Sequence, residues 1–126
     1  MPKHIALIAH DGRKADMVSF VMQNRRLLDG AELYATGTTG MHIERSGLAV
    51  HKCLSGPQGG DAQIAAMVAE GKLDAVFFFR DPLEKHPHEP DVQMLMRICD
   101  VHDVALATNL AGARLMLEGM RKPDNL

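Results

Sequence analysis

The chain has 126 residues, 46% of them hydrophobic, which is enough for one domain (1–126) with its own core and too little for two. A formal charge of −2, basic residues scattered along the chain and only 4% aromatic residues exclude a nucleic-acid or anionic-membrane partner on electrostatic and stacking grounds. No apolar run approaches the roughly 20 residues that span a bilayer, Met1-Pro2-Lys3-His4 leads directly into a strand pattern, and Cys53 and Cys99 have no metal or redox spacing, so a cytoplasmic protein with two core cysteines is expected.

Apolar runs of strand length alternate with helical patterns. Residues 5–9 read as a buried strand, and 15–28 as a helix with Val18, Val21, Met22 and Leu28 on one face, closed by Gly30. Residues 32–35 form a second strand, followed by Thr36-Gly37-Thr38-Thr39-Gly40 and a short helix ending at Gly47. A third strand is expected over 48–54. Asp61 is the expected cap of a helix that runs to Glu70 and stops at Gly71. Residues 75–79 are apolar enough for a central strand. After a proline-rich loop come a helix over 91–102, a fifth strand over 104–107 and a last helix over 110–119. The chain has nine methionines in all, and the methionine-rich helix faces read as core or subunit contact.

Repeated βα units demand right-handed crossovers, so the expected architecture is a single-domain α/β fold: a doubly wound, five-stranded parallel sheet with helices on both faces. Every loop that leaves a strand C-terminus then opens on one edge, where such sheets bind ligands. Those loops are His10-Asp11, 36–40, 55–61, 80–91 and Thr108-Asn109, and they hold nearly every unusual polar residue in the chain.

The segment Ser55-Gly56-Pro57-Gln58-Gly59-Gly60-Asp61 sets a carboxylate beside three glycines at a helix mouth. Backbone N–H groups and the positive helix end suit an anion, and the carboxylate suits a base beside it; the same residues also make an ordinary capped turn. Thr36 to Gly40 offers hydroxyls and N–H groups to a phosphate, with a spacing that differs from a P-loop. Lys14 can add a positive charge. His10 and His88 can donate to a carbonyl or hydroxyl, whereas His4, His42, His51 and His102 have no such company and read as surface or capping groups. Pro87 and Pro90 stiffen the loop that carries His88 and Asp91.

Asp11, Asp61, Asp81 and Asp91 would share one small cleft. Phosphate binding alone does not call for so many carboxylates, and proton abstraction supplies a task for them. A phosphate-binding module of the same architecture, such as the regulatory domain of carbamoyl-phosphate synthetase, would need no such set. A receiver domain would want an Asp at the end of the third strand, where Ser55 stands. A metallohydrolase using His86, His88 and Asp91 lacks a second ligand cluster.

Residues 4–11, Tyr34-Ala35-Thr36-Gly37-Thr38-Thr39-Gly40, Ser55-Gly56-Pro57 with Gly59-Gly60-Asp61, Asp81-Pro82-Leu83, Pro87-His88 with Pro90-Asp91-Val92, and Ala107-Thr108-Asn109 together resemble the methylglyoxal synthase family over nearly the whole chain. The resemblance implies a cytosolic homohexamer that converts dihydroxyacetone phosphate to methylglyoxal and inorganic phosphate without a metal or organic cofactor. It implies Asp61 as the proton acceptor and donor. His10, Lys14, Thr36, Gly37, Thr38, Thr39, Ser55, Gly56 and His88 are then substrate-binding positions, with Asp11, Asp81 and Asp91 as supporting carboxylates. Phosphate is the product and a candidate inhibitor. Longer members carry a tail whose arginine can reach a neighbouring subunit; that role is not assigned to Arg114 or Arg121 here.

Overall fold

A computed structural model describes residues 2–83 and 92–121. Within these residues five strands lie parallel in the order β3-β2-β1-β4-β5. Strand β1 (His4–Ala9) and strand β4 (Ala75–Phe79) pair at the centre, with Ile5 opposite Ala75 and Ile8 opposite Phe78. Both are almost wholly buried, as unbroken apolar runs covered on two faces must be. Strand β2 (Glu32–Thr36) flanks β1, and the three-residue strands β3 (His51–Cys53) and β5 (Ala105–Ala107) close the edges.

Period-two alternation sends successive side chains to opposite faces. Ile5, Leu7, Ala9, Phe77 and Phe79 meet α1 (Lys14–Gln23), α3 (Gly37–Arg45) and α6 (Leu110–Arg121) on one side. Ala6, Ile8, Val76 and Phe78 meet α4 (Gly60–Ala69) and α5 (Val92–Val101) on the other. Phe20 of α1 locks the first face by edge-on contacts with Phe77 and Phe79, ring centres 5.7 and 5.6 Å apart. Each such pair adds about 0.5–1.5 kcal/mol beyond simple burial.

Two expected elements change. The helix expected over 15–28 divides at Asn24 into α1 and the short α2 (Arg25–Leu28), because the Asn24 amide donates to the Phe20 carbonyl at 2.8 Å and competes with the helix ladder. Its buried face is Met17, Phe20, Val21 and Leu28; Met22 is exposed and Val18 half-buried. The third strand contracts to 51–53, since the Leu54 N–H leaves the ladder for the Gln63 side chain at 2.8 Å. Cys99 is core as expected, whereas Cys53, on an edge strand, is half-buried.

All strand C-termini point to one edge. The chain leaves β1 toward α1 on one face and leaves β4 toward α5 on the opposite face. A crevice therefore opens above the adjacent ends of β1 and β4. Among the described residues no helix is long and apolar enough to cross a membrane.

Candidate active site

His10 stands at the end of β1, beside that crevice. Its main-chain N–H donates to the Phe79 carbonyl at 3.0 Å, extending the β1–β4 pairing by one residue. The ring is wedged edge-on against Phe78, 5.2 Å between centres, and its Nδ1 accepts the Asp81 main-chain N–H at 2.8 Å. His10 is only 8% exposed, and Nε2 has no hydrogen-bond partner among the described residues. Asp81 spends one carboxylate oxygen on the Leu83 N–H at 3.1 Å, an Asx turn at the tip of β4.

A single 3₁₀ turn, Asp11–Arg13, carries the chain from His10 into α1. Lys14 opens that helix, and its Nζ reaches both the Asp11 carboxylate and the Thr38 hydroxyl at 2.8 Å. A cation at a helix N-terminus opposes the dipole, so the nearby carboxylate offsets an unfavourable placement. Thr36 ends β2, buried, and Gly37 turns directly into α3 with φ +52°. That angle favours glycine, and an added Cβ would stand 3.4 Å from Ser55, so the two loops run side by side. Thr39 is fully buried, and its hydroxyl also lacks a partner among the described residues.

Ser55 begins the third loop. Its carbonyl accepts the N–H groups of Gln58 and Gly60 at 3.0 and 2.8 Å, folding Gly56–Gln58 into a tight turn. The chain then reverses through Gly59, φ +106°, which is the residue that caps α4. Asp61 is thus not the cap that its composition suggests: it lies in the first turn, half-buried, where its carboxylate accepts the Ala62 N–H at 3.0 Å. A carboxylate in that turn is favoured by the helix dipole.

The MGS-like domain family matches residues 16–108. Over 121 residues the chain is 54% identical to methylglyoxal synthase of Geobacillus sp. (strain WCH70), covering 95% of this chain and 86% of that one. The chain belongs to the methylglyoxal synthase family. It is also 57% identical to the methylglyoxal synthase of Moorella thermoacetica (strain ATCC 39073 / JCM 9320) over 118 residues, 93% of this chain and 92% of the other. The crystal structure of methylglyoxal synthase from Elizabethkingia anophelis NUHP1 superposes with a TM-score of 0.90 at 41% identity, covering 97% of this chain and 79% of that one.

In this member of the family, the expected site residues that lie among the described ones all follow strand C-termini: His10, Asp11 and Lys14 after β1, Thr36 to Thr39 at the end of β2, Ser55, Gly56 and Asp61 after β3, and Asp81 after β4. His88 and Asp91 lie outside the described residues. Two residues escaped sequence reasoning. Gln63 ties the Ser55 loop to α4 through the Leu54 N–H, and Gly60 admits no Cβ because one would overlap the Leu54 carbonyl. Nothing local marks either, since both roles come from backbone nine or fewer residues away folded back on the helix. The structure also gives His4 and His51 company that the sequence did not suggest. His4 Nδ1 and the Tyr34 hydroxyl share a hydrogen bond of 3.0 Å, Tyr34 stacks on His51 at 4.7 Å, and His51 meets Glu32 at 2.8 Å.

Proposed function

We propose that the chain converts dihydroxyacetone phosphate to methylglyoxal and inorganic phosphate by proton abstraction followed by elimination, with Asp61 as the base. The observation that carries the site reading is a pair of buried polar atoms without a hydrogen-bond partner among the described residues, His10 Nε2 and Thr39 Oγ1, both at positions that bind substrate on this reading. Buried polar atoms are nearly always satisfied, and exceptions gather at binding sites. One orphan can donate to a carbonyl oxygen, and the other can bond a phosphate oxygen beside Lys14 and Thr38.

The chemistry follows in three steps. Asp61 takes a proton from the hydroxymethyl carbon, and the electron pair moves into the carbonyl to form an enediolate. His10, together with His88, stabilises the developing oxygen charge. The bond between the other carbon and the bridging oxygen then breaks. Its electrons leave with phosphate, and enol methylglyoxal remains to tautomerise. Elimination outruns reprotonation only when that bond stands roughly perpendicular to the enediolate plane. A phosphate gripped by Thr38, Thr39 and the Ser55-Gly56 backbone has that angle imposed on it. Asp11, Asp81 and Asp91 support the constellation, and Asp11 does so by holding Lys14.

The protein acts in the cytoplasm as a homohexamer on this reading. The exposed Val101 and Leu115 side chains, 68% and 76% accessible, support burial between copies. Purified protein given dihydroxyacetone phosphate with excess EDTA should release methylglyoxal and phosphate in equal amounts. Glyceraldehyde 3-phosphate without phosphate release would make it an isomerase. Dihydroxyacetone, or loss of activity to the chelator, would make it a metallohydrolase. Light scattering should return six copies; a monomer would refute the assembly.

A further inference from the structure

We infer that Asp81 is a positioning residue whose main-chain N–H locks His10 as the neutral imidazole protonated on Nε2, ready to donate to the carbonyl oxygen of the substrate. The inference rests on the proposed reaction for its ligand and on geometry for its lock. A main-chain N–H can only donate, so the ring nitrogen that accepts it at 2.8 Å carries no proton. The single ring proton of a neutral imidazole is then on Nε2. Turning the ring over would place a carbon against the Asp81 N–H and leave that donor unsatisfied. Three contacts hold the arrangement: the His10 N–H on Phe79, the edge-on packing against Phe78, and the Asx turn by which the Asp81 carboxylate accepts the Leu83 N–H.

The consequence is chemical. Nε2 is a buried donor without a partner among the described residues, so a ligand oxygen that accepts from it relieves a standing cost. An imidazole fixed in this tautomer stabilises an oxyanion by hydrogen bonding, because taking a second proton on Nδ1 would displace the Asp81 N–H. The Asp81 side chain shapes the turn while its backbone sets the proton on a histidine 71 positions earlier.

Protein labelled with ¹⁵N-histidine and free of ligand, at neutral pH, should give one histidine in the Nε2–H pattern in long-range ¹H–¹⁵N correlation spectra, assigned by its loss in His10→Gln. An Nδ1–H pattern or a doubly protonated ring would overturn the lock. Asp81→Asn keeps both the N–H and a turn-forming oxygen and should keep the pattern. Asp81→Pro removes the N–H and, if circular dichroism shows it folded, should give exchange-averaged tautomers; a retained single tautomer would refute the role of Asp81. Should that variant not fold, the wild-type and Asp81→Asn spectra decide. In Asp61→Asn protein, dihydroxyacetone phosphate should shift the Nε2 proton downfield and inorganic phosphate alone should not. An equal shift with phosphate would make His10 a phosphate ligand and end the carbonyl assignment. Absence of methylglyoxal with the lock intact would overturn the reaction and leave the tautomer standing.

Discussion

Gly60→Ala puts one methyl group into the tightest backbone contact of the site. The new carbon would overlap the Leu54 carbonyl oxygen and stand 2.8 Å from the Leu54 carbonyl carbon and 3.0 Å from the Ser55 oxygen. All three are main-chain atoms, so no side chain can swing aside. Relief requires moving the Leu54–Ser55 backbone away from α4. That movement strains the Gly60 N–H bond to Ser55 and the Gln63 bond to Leu54, both 2.8 Å. Overpacking costs about 1–3 kcal/mol, and each weakened hydrogen bond about 1 kcal/mol. Alanine returns up to about 1 kcal/mol in helix propensity, leaving a loss of roughly 3 kcal/mol. At an unfolding entropy of about 2 cal/mol/K per residue, this lowers Tm by about 10 °C. Because Ser55 and Gly56 move with the strand end, phosphate affinity should fall at least about tenfold, read by calorimetric titration. Gly59→Ala is the control: open space surrounds its Cβ, so positive φ alone should cost about 1–2 kcal/mol without displacing the loop. A Gly60→Ala protein with a Tm within about 2 °C of wild type and unchanged phosphate affinity would refute the close-approach reasoning.

Asp61→Asn should abolish turnover while phosphate affinity holds or improves, since base and negative charge go together; a folded variant with wild-type phosphate release would move the role to another carboxylate. Thr39→Val keeps the shape and deletes a buried hydroxyl that has no partner among the described residues. It should leave the ligand-free protein as stable or about 1 kcal/mol more stable and shrink the Tm rise produced by phosphate. An undiminished rise would return Thr39 to the core. Burial, reinforced by the Asp100 carboxylate, lifts the Cys99 thiol from 9.0 to about 11. The unfolded chain ionises at the lower value. Stability therefore holds below about pH 9 and falls as pH rises toward 11, and denaturant melts of Cys99→Ala should show a shallower alkaline decline. Equal declines would exclude Cys99 as a source.

Periodicity alone carried the architecture. Apolar runs at 5–9 and 75–79 leave no polar face, so each could only be a strand covered on both sides, and helical patterns between them enforce parallel crossovers. The site edge followed from the same geometry, because polar loops after strands have nowhere else to gather. Local chemistry was less legible. Asp61 has the composition of a cap, yet Gly59 takes that place because the Ser55 turn needs a left-handed residue to enter α4. The break at Asn24 turned on a side chain competing for the Phe20 carbonyl, a contest that hydrophobic spacing cannot register. What only tertiary structure decided are contacts between residues far apart in the chain: Lys14 on Thr38, Gly37 against Ser55, and His10 on the Asp81 N–H. Turn and helix preferences act over a few residues. The direction of a ring nitrogen, and which donor meets it, depends on β1 and β4 lying side by side in register, which follows from packing the whole sheet.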